Sequence, residues 1–178
     1  YTVVPVAANG CEGNSFTVTV SVDPKPTVAD QTRTICSDIA TAVNFNSSTS
    51  VAAATYNVTG LNLNGLTVSG GGATTINGLS AAAFADDAFT NTTALPVDVI
   101  YTVVPVSAGS CLGNPFTVTV TVNPEPVVAN QTATICSDVA SAVTLNTDAN
   151  TPTVATYNIT TIAANGLTAS AGTPATGN

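Results

Sequence analysis

The chain has 178 residues, of which only 2 are Lys or Arg against 10 Asp or Glu, with no His, no Trp and a net charge of −8. Two cationic side chains cannot neutralise a phosphate backbone or hold an anionic lipid surface, so nucleic-acid binding and an electrostatic membrane patch are excluded. Charged residues are just 7% of the chain and hydrophobic ones 44%, yet no apolar run is long enough to cross a bilayer. Polarity comes from Thr, Ser and Asn, which with the abundant Val speaks for β-structure rather than helix.

In chain order, "YTVVPVAANGCEGNSFTVTVSVDPKP" opens at Tyr1 and returns from Tyr101 as "YTVVPVSAGSCLGNPFTVTVTVNPEP". Roughly 28 of the first 40 positions are identical one hundred residues later, which marks a tandem array of one domain type. "TYNVTGLNLNGLTVSGG" from Thr55 returns as "TYNITTIAANGLTASAG" from Thr156. The later copy has therefore gained one residue between Leu145 and Tyr157, an insertion expected in a surface turn because a strand would lose its facing.

Residues 15–22 and 115–122 alternate apolar side chains with Thr or Ser, the period of a strand with one buried face. Phe16, Val18, Val20 and Val22 are expected inward and the threonines outward. Residues 98–106 form the preceding strand, and the Gly-containing loop "SAGSCLGNP" makes the two a hairpin. "AVNFN", "ATYNVTG", "LTVSGG" and "TTINGL" read as further short strands between Asn/Gly/Ser turns, and residues 79–89 ("LSAAAFADDAF") as a helical turn or crossover. This spacing predicts an all-β sandwich.

"DPKP" and "NPEP" each follow the strongest strand. Proline fixes φ and lacks an amide donor, so these segments are stiff, extended and unable to continue a central strand. The boundary is placed there. Residues 1–25 then supply the last hairpin of a preceding repeat, 26–125 a complete repeat, and 126–178 the first half of a following one. The first residues match the end of a period, which implies a segment of a longer chain.

The combination "TICSD … YTVVPVSAGSCLGNPFTVTVTVNPEP" resembles the PKD-like, immunoglobulin-like repeats of giant cell-surface adhesins in Bacteroidetes. The resemblance spans the whole period. It implies tandem β-sandwiches in a long extracellular filament exported by the type IX system, as in SprB-like gliding-motility adhesins. Two departures are "CSD" in place of "CSG", and Tyr56 and Tyr157 where a Trp often stands on the third strand.

Cys11, Cys36, Cys111 and Cys136 fall two per period, a pattern of an oxidised extracellular chain. The expected bond is Cys36–Cys111, which closes one repeat on itself. Cys11–Cys36 and Cys111–Cys136 would cross the Pro-x-Pro boundary and need the chain to double back. A bond between the pole of one repeat and the hairpin tip of the next is the third possibility, and free cysteines acting as small apolar residues the fourth. Zinc is excluded, since two isolated cysteines per repeat without His do not fill a tetrahedral site.

A Ser or Cys nucleophile lacks a base in a chain with no His, so no enzyme activity is expected. Asp86, Asp87 and Asp98 are the candidate calcium ligands. A calcium site at every linker is disfavoured because Asp23 and Asp30 become Asn123 and Asn130 one period later. An isopeptide cross-link needs a core Lys, whereas Lys25 lies in the linker and is replaced by Glu125. Asn57, Asn91 and Asn158 occupy N-x-Thr sequons.

Two functions fit. In the first, each repeat is a spacer that contacts neighbouring repeats and holds an adhesive tip away from the cell, other parts of the protein binding a surface or polysaccharide. In the second, each repeat is itself a carbohydrate- or surface-binding module. Near-identical copies favour the spacer, because recognition demands divergent loops, and aromatic residues for sugar stacking are only 5%.

Overall fold

In the computed structural model, residues 1–45, 50–148, 151–169, 172 and 176 are described. Eight strands are present among them: β1 (Thr2–Val3), β2 (Phe16–Thr17), β3 (Gln31–Cys36), β4 (Ala53–Asn62), β5 (Thr67–Gly70), β6 (Ala88–Thr90), β7 (Val97–Ser107) and β8 (Phe116–Asn123). The order of the main sheet is β3-β8-β7-β4, and β5 pairs with β6 in a second layer. The chain is thus an all-β sandwich, as the alternation predicted.

The β7–β8 hairpin is the backbone of the fold because its alternation is unbroken. Val99, Tyr101, Val103, Phe116, Val118, Val120 and Val122 all point inward and are buried, while the intervening residues face out. Against them pack Ile35 from β3, Tyr56 and Val58 from β4, and Val43, Phe45, Leu66, Phe84 and Phe89 from the opposite layer. Phe45 sits at the centre of an aromatic cluster, with ring centroids 5.0 Å from Tyr56, 4.6 Å from Phe84 and 5.4 Å from Phe116. Such tilted and edge-on contacts add to the stabilisation from burial. Tyr56 on β4 therefore fills a core position beside Phe45 and Phe116.

Three expectations are corrected. The segment "AVNFN" is no strand among its described residues: Ala42 is left-handed at φ 51°. Its neighbours bond instead to the turn opposite, Thr41 N–H to Asp87 O and Phe45 N–H to Ala81 O. "TTINGL" forms no strand: it contributes a bridge, Leu79 to Tyr56, and Ile76 O accepts from Val58 N–H at 2.8 Å. The stretch 79–89 does begin as consecutive turns, but it ends in β6, whose Ala88 and Phe89 are buried against β5 and the core.

Strand β3 lies parallel to β8, in register from Gln31↔Val118 to Cys36↔Asn123. First and last strands running the same way carry the chain in at one pole and out at the other.

Candidate functional site

The two poles are where the repeat meets what precedes and follows it. At the incoming pole the β7–β8 loop closes on itself: Ser107 N–H donates to Cys111 O, Ser110 N–H to Ser107 O and Gly113 N–H to Pro105 O. The β1–β2 hairpin makes the same three bonds one period earlier, through Ala7, Gly10 and Gly13, so the loop is encoded by its own residues. The linker lies across it. Cys111 Sγ is 3.8 Å from Asp23 O, and Ser50 Oγ donates to Lys25 O at 2.7 Å. A Cβ on Gly113 would collide with the Pro26 carbonyl, so glycine is required there by the close approach of the linker backbone. Thr117 N–H donates to Asp30 Oδ1 at 2.6 Å, and this bond holds the Asp30 carboxyl below its usual range.

At the outgoing pole, Ser37 N–H donates to Asn123 O at 2.8 Å. Buried Asn91 ties the last strand down: its amide donates to Val122 O at 2.7 Å and to Leu95 O at 3.0 Å, and its oxygen accepts from Thr93. The Asn91 amide is thereby committed to structure, which removes this sequon as a glycan acceptor. Thr90 Oγ1 donates to Asp38 Oδ1 at 2.6 Å and lowers the Asp38 pKa.

The three aspartates do not converge. Asp98 faces outward from β7 and accepts from Thr121 Oγ1 at 2.7 Å. Asp86 is exposed, whereas Asp87 is buried and accepts from Tyr101 Oη at 2.6 Å and from Gly72 N–H at 3.0 Å. Asp87 and Asp98 thus lie on opposite faces of the sheet, and the calcium reading of Asp86, Asp87 and Asp98 is corrected. Among the described residues no three His, Cys, Asp or Glu side chains are placed to hold a metal. Burial of Asp87 outweighs its hydrogen bonds and raises its pKa; burial and the Asp87 contact push the Tyr101 phenol upward too. The sequence pattern placed Asp86 and Asp87 together as candidate ligands of one site. The signal it lacked was the left-handed Gly71, φ 73°, whose backbone packs directly on Asp87.

The cysteines are corrected as well. All four are free thiols in the structure. Cys36 is beside Asn123 at one end of β8, whereas Cys111 lies beyond the other end. The 8 residues of β8 span on the order of 25 Å, far outside the Cα separation of roughly 4.4–6.8 Å that a disulfide tolerates. A Cys36–Cys111 bond within one repeat is incompatible with this fold.

A cleft of about 580 Å³ is lined by Ile135–Val139 and Ile162–Ala164 with Leu167–Ala169. Its residues repeat Ile35 and Leu66, which are core in the middle copy. It is an uncovered half-core and not a ligand site.

A family profile for the PKD-like domain matches residues 1–26 and 33–126. The chain belongs to the PKD-like domain family, whose members are typically non-catalytic modules of extracellular proteins. No curated protein and no solved structure matches the chain. Among the described residues, no helix is long and apolar enough to cross a membrane.

Proposed function

We propose that residues 26–125 are one unit of a stalk in a long bacterial cell-surface adhesin, exported by the type IX system and serving adhesion or gliding motility. The observation that supports this reading is the parallel pairing of β3 with β8. It makes each unit a translation along the filament axis, so copies add length instead of folding back. The 11 residues of β7 correspond to about 35 Å of strand, which sets the scale of that step. The chain's partners on this reading are its own neighbouring repeats, and a terminal region elsewhere contacts the external surface or polysaccharide.

The location of the aromatic side chains argues against a binding role for each repeat. Phe45, Tyr56, Phe84, Phe89, Tyr101 and Phe116 are all buried, which leaves no ring of residues 26–125 to stack on a sugar. Deleting internal repeats from the full-length protein tests the proposal: the filament shortens while the range of surfaces bound is unchanged. A saturable glycan signal from residues 26–125 alone would instead identify the repeat as the binding module.

A further inference from the structure

Each repeat carries two cysteines, and both stand against the same linker position, one repeat out of phase. Cys36 ends β3 as the register partner of Asn123. Cys111 places its sulfur 3.8 Å from the carbonyl oxygen of Asp23, the residue one period before Asn123. In an array, the loop cysteine of the following repeat therefore takes the place against Asn123 that Cys111 takes against Asp23. The Asn123 carbonyl oxygen already accepts from the N–H of Ser37, the residue next to Cys36, at 2.8 Å, so the loop thiol of the following repeat approaches the same oxygen beside Cys36.

We propose that the strand cysteine of each repeat forms a disulfide with the loop cysteine of the next, stapling the Pro-x-Pro junction. This rests on the head-to-tail order of the stalk reading and is independent of its adhesive role. Cys36 is exposed and Cys111 half-buried, so neither is a core residue retained for packing. On this pairing no two of Cys11, Cys36, Cys111 and Cys136 are partners.

In the reaction, the two thiols lose two protons and two electrons and one S–S bond forms. An oxidised dithiol–disulfide oxidant accepts them: its own S–S bond breaks and is reduced to two thiols through a mixed disulfide. The covalent bridge then runs beside the proline-stiffened linker, and the junction loses its freedom to bend and twist.

The test uses the full-length protein carrying Cys36→Ser and Cys111→Ser together, with thiols alkylated under denaturing, non-reducing conditions. Pairing across junctions orphans one cysteine in each neighbouring repeat, so two thiols appear that the unsubstituted protein lacks. Pairing within the repeat removes both partners at once and exposes none. A loss of two titratable thiols, showing that both were free, overturns the proposal equally. Mass spectrometry of the unsubstituted protein after non-reducing digestion provides a readout that needs no variant to fold: the Cys36 peptide is recovered bonded to a loop peptide of the following repeat. A Cys36 peptide recovered alone, or joined to that of Cys111, contradicts the staple. A filament that stays extended while its cysteines prove free would overturn the staple and leave the stalk standing.

Discussion

Residues 26–68 and 126–169 carry nearly the same sequence pattern, with one residue more in the second, but differ in what they form. Their turns agree closely: φ is 61° at Asp38 and 62° at Asp138, 51° at Ala42 and 49° at Ala142, 47° at Asn64 and 48° at Asn165. Their strands do not agree. "QTRTIC" is β3 in the first, whereas "QTATIC" at 131–136 belongs to no strand among the described residues. Ile35, Tyr56 and Leu66 are 6%, 3% and 6% exposed, but Ile135, Tyr157 and Leu167 are 50%, 40% and 80%. Turn conformation is thus a local property of Asn, Asp, Gly and their neighbours. Strand formation instead requires the partner, and β3 finds its partner in a strand 87 residues further on.

The largest expected effect follows directly. Residues 26–125 expressed alone unfold in one cooperative thermal transition, and 126–178 alone show none, since half a sandwich leaves its apolar face uncovered. A cooperative melt of the shorter piece would place the domain boundary elsewhere.

Within the 178-residue chain, the two hairpins offer a sharper version of the same contrast. Phe116 is 3% exposed and Phe16 51%, although both occupy the same hairpin register, opposite Val103 and Val3. Phe116→Ala should cost about 3–5 kcal/mol through lost burial and a cavity, and Phe16→Ala less than about 0.5 kcal/mol. Chemical denaturation of the two variants measures the difference; equal losses would mean that residues 1–25 are packed into the same core.

Asp87 provides a smaller effect. Asp87→Ala orphans the Tyr101 hydroxyl and the Gly72 amide, at about 1–3 kcal/mol for each group left without a partner. Its pH signature has a definite sign. The Asp87 pKa is raised above the ordinary value of 3.8, so its contribution is fully present below that pH and is lost as pH rises through the folded value. Asp30 and Asp38, with lowered pKa values, act oppositely: their contributions are present above 3.8 and vanish as pH falls through their folded values. Asp87→Asn keeps an acceptor for Gly72 but cannot ionise. Denaturation midpoints measured upward from pH 4 should therefore decline less in this variant than in the parent chain, and parallel profiles would show that Asp87 does not titrate in that range.

Much of this was legible in the sequence for physical reasons. The Val/Thr alternation of β8 fixes its buried face without reference to a partner, and the "SAGSCLGNP" loop closes through its own backbone bonds, so both were read correctly. Three features were hidden. The parallel β3–β8 pairing is set by contacts across most of the repeat, which no local window contains. β6 follows an alanine-rich run of turns, and its strand character comes from pairing with β5. The poles of Cys36 and Cys111 depend on that same parallel pairing, so counting cysteines gave two per repeat but not that they stand at opposite ends of β8.

The smallest effect is proteolytic. Lys25 precedes Pro26, a poor scissile bond, and Arg33 lies mid-strand in β3, opposite Val120. Cleavage there needs local opening of the ladder, so trypsin should cut the native chain slowly. Its counterpart Ala133 offers no site at all. Rapid cutting after Arg33 would show that β3 is loosely held.

The central claim is that parallel first and last strands make each repeat a step along one axis. It is tested most directly by the contour length of the full-length protein in electron micrographs, compared with variants from which whole repeats have been removed. The account predicts a linear decrease of about 35 Å or slightly more for each repeat deleted, the span of β7 plus its linker. A length that does not change with repeat number, or a compact particle, would contradict it.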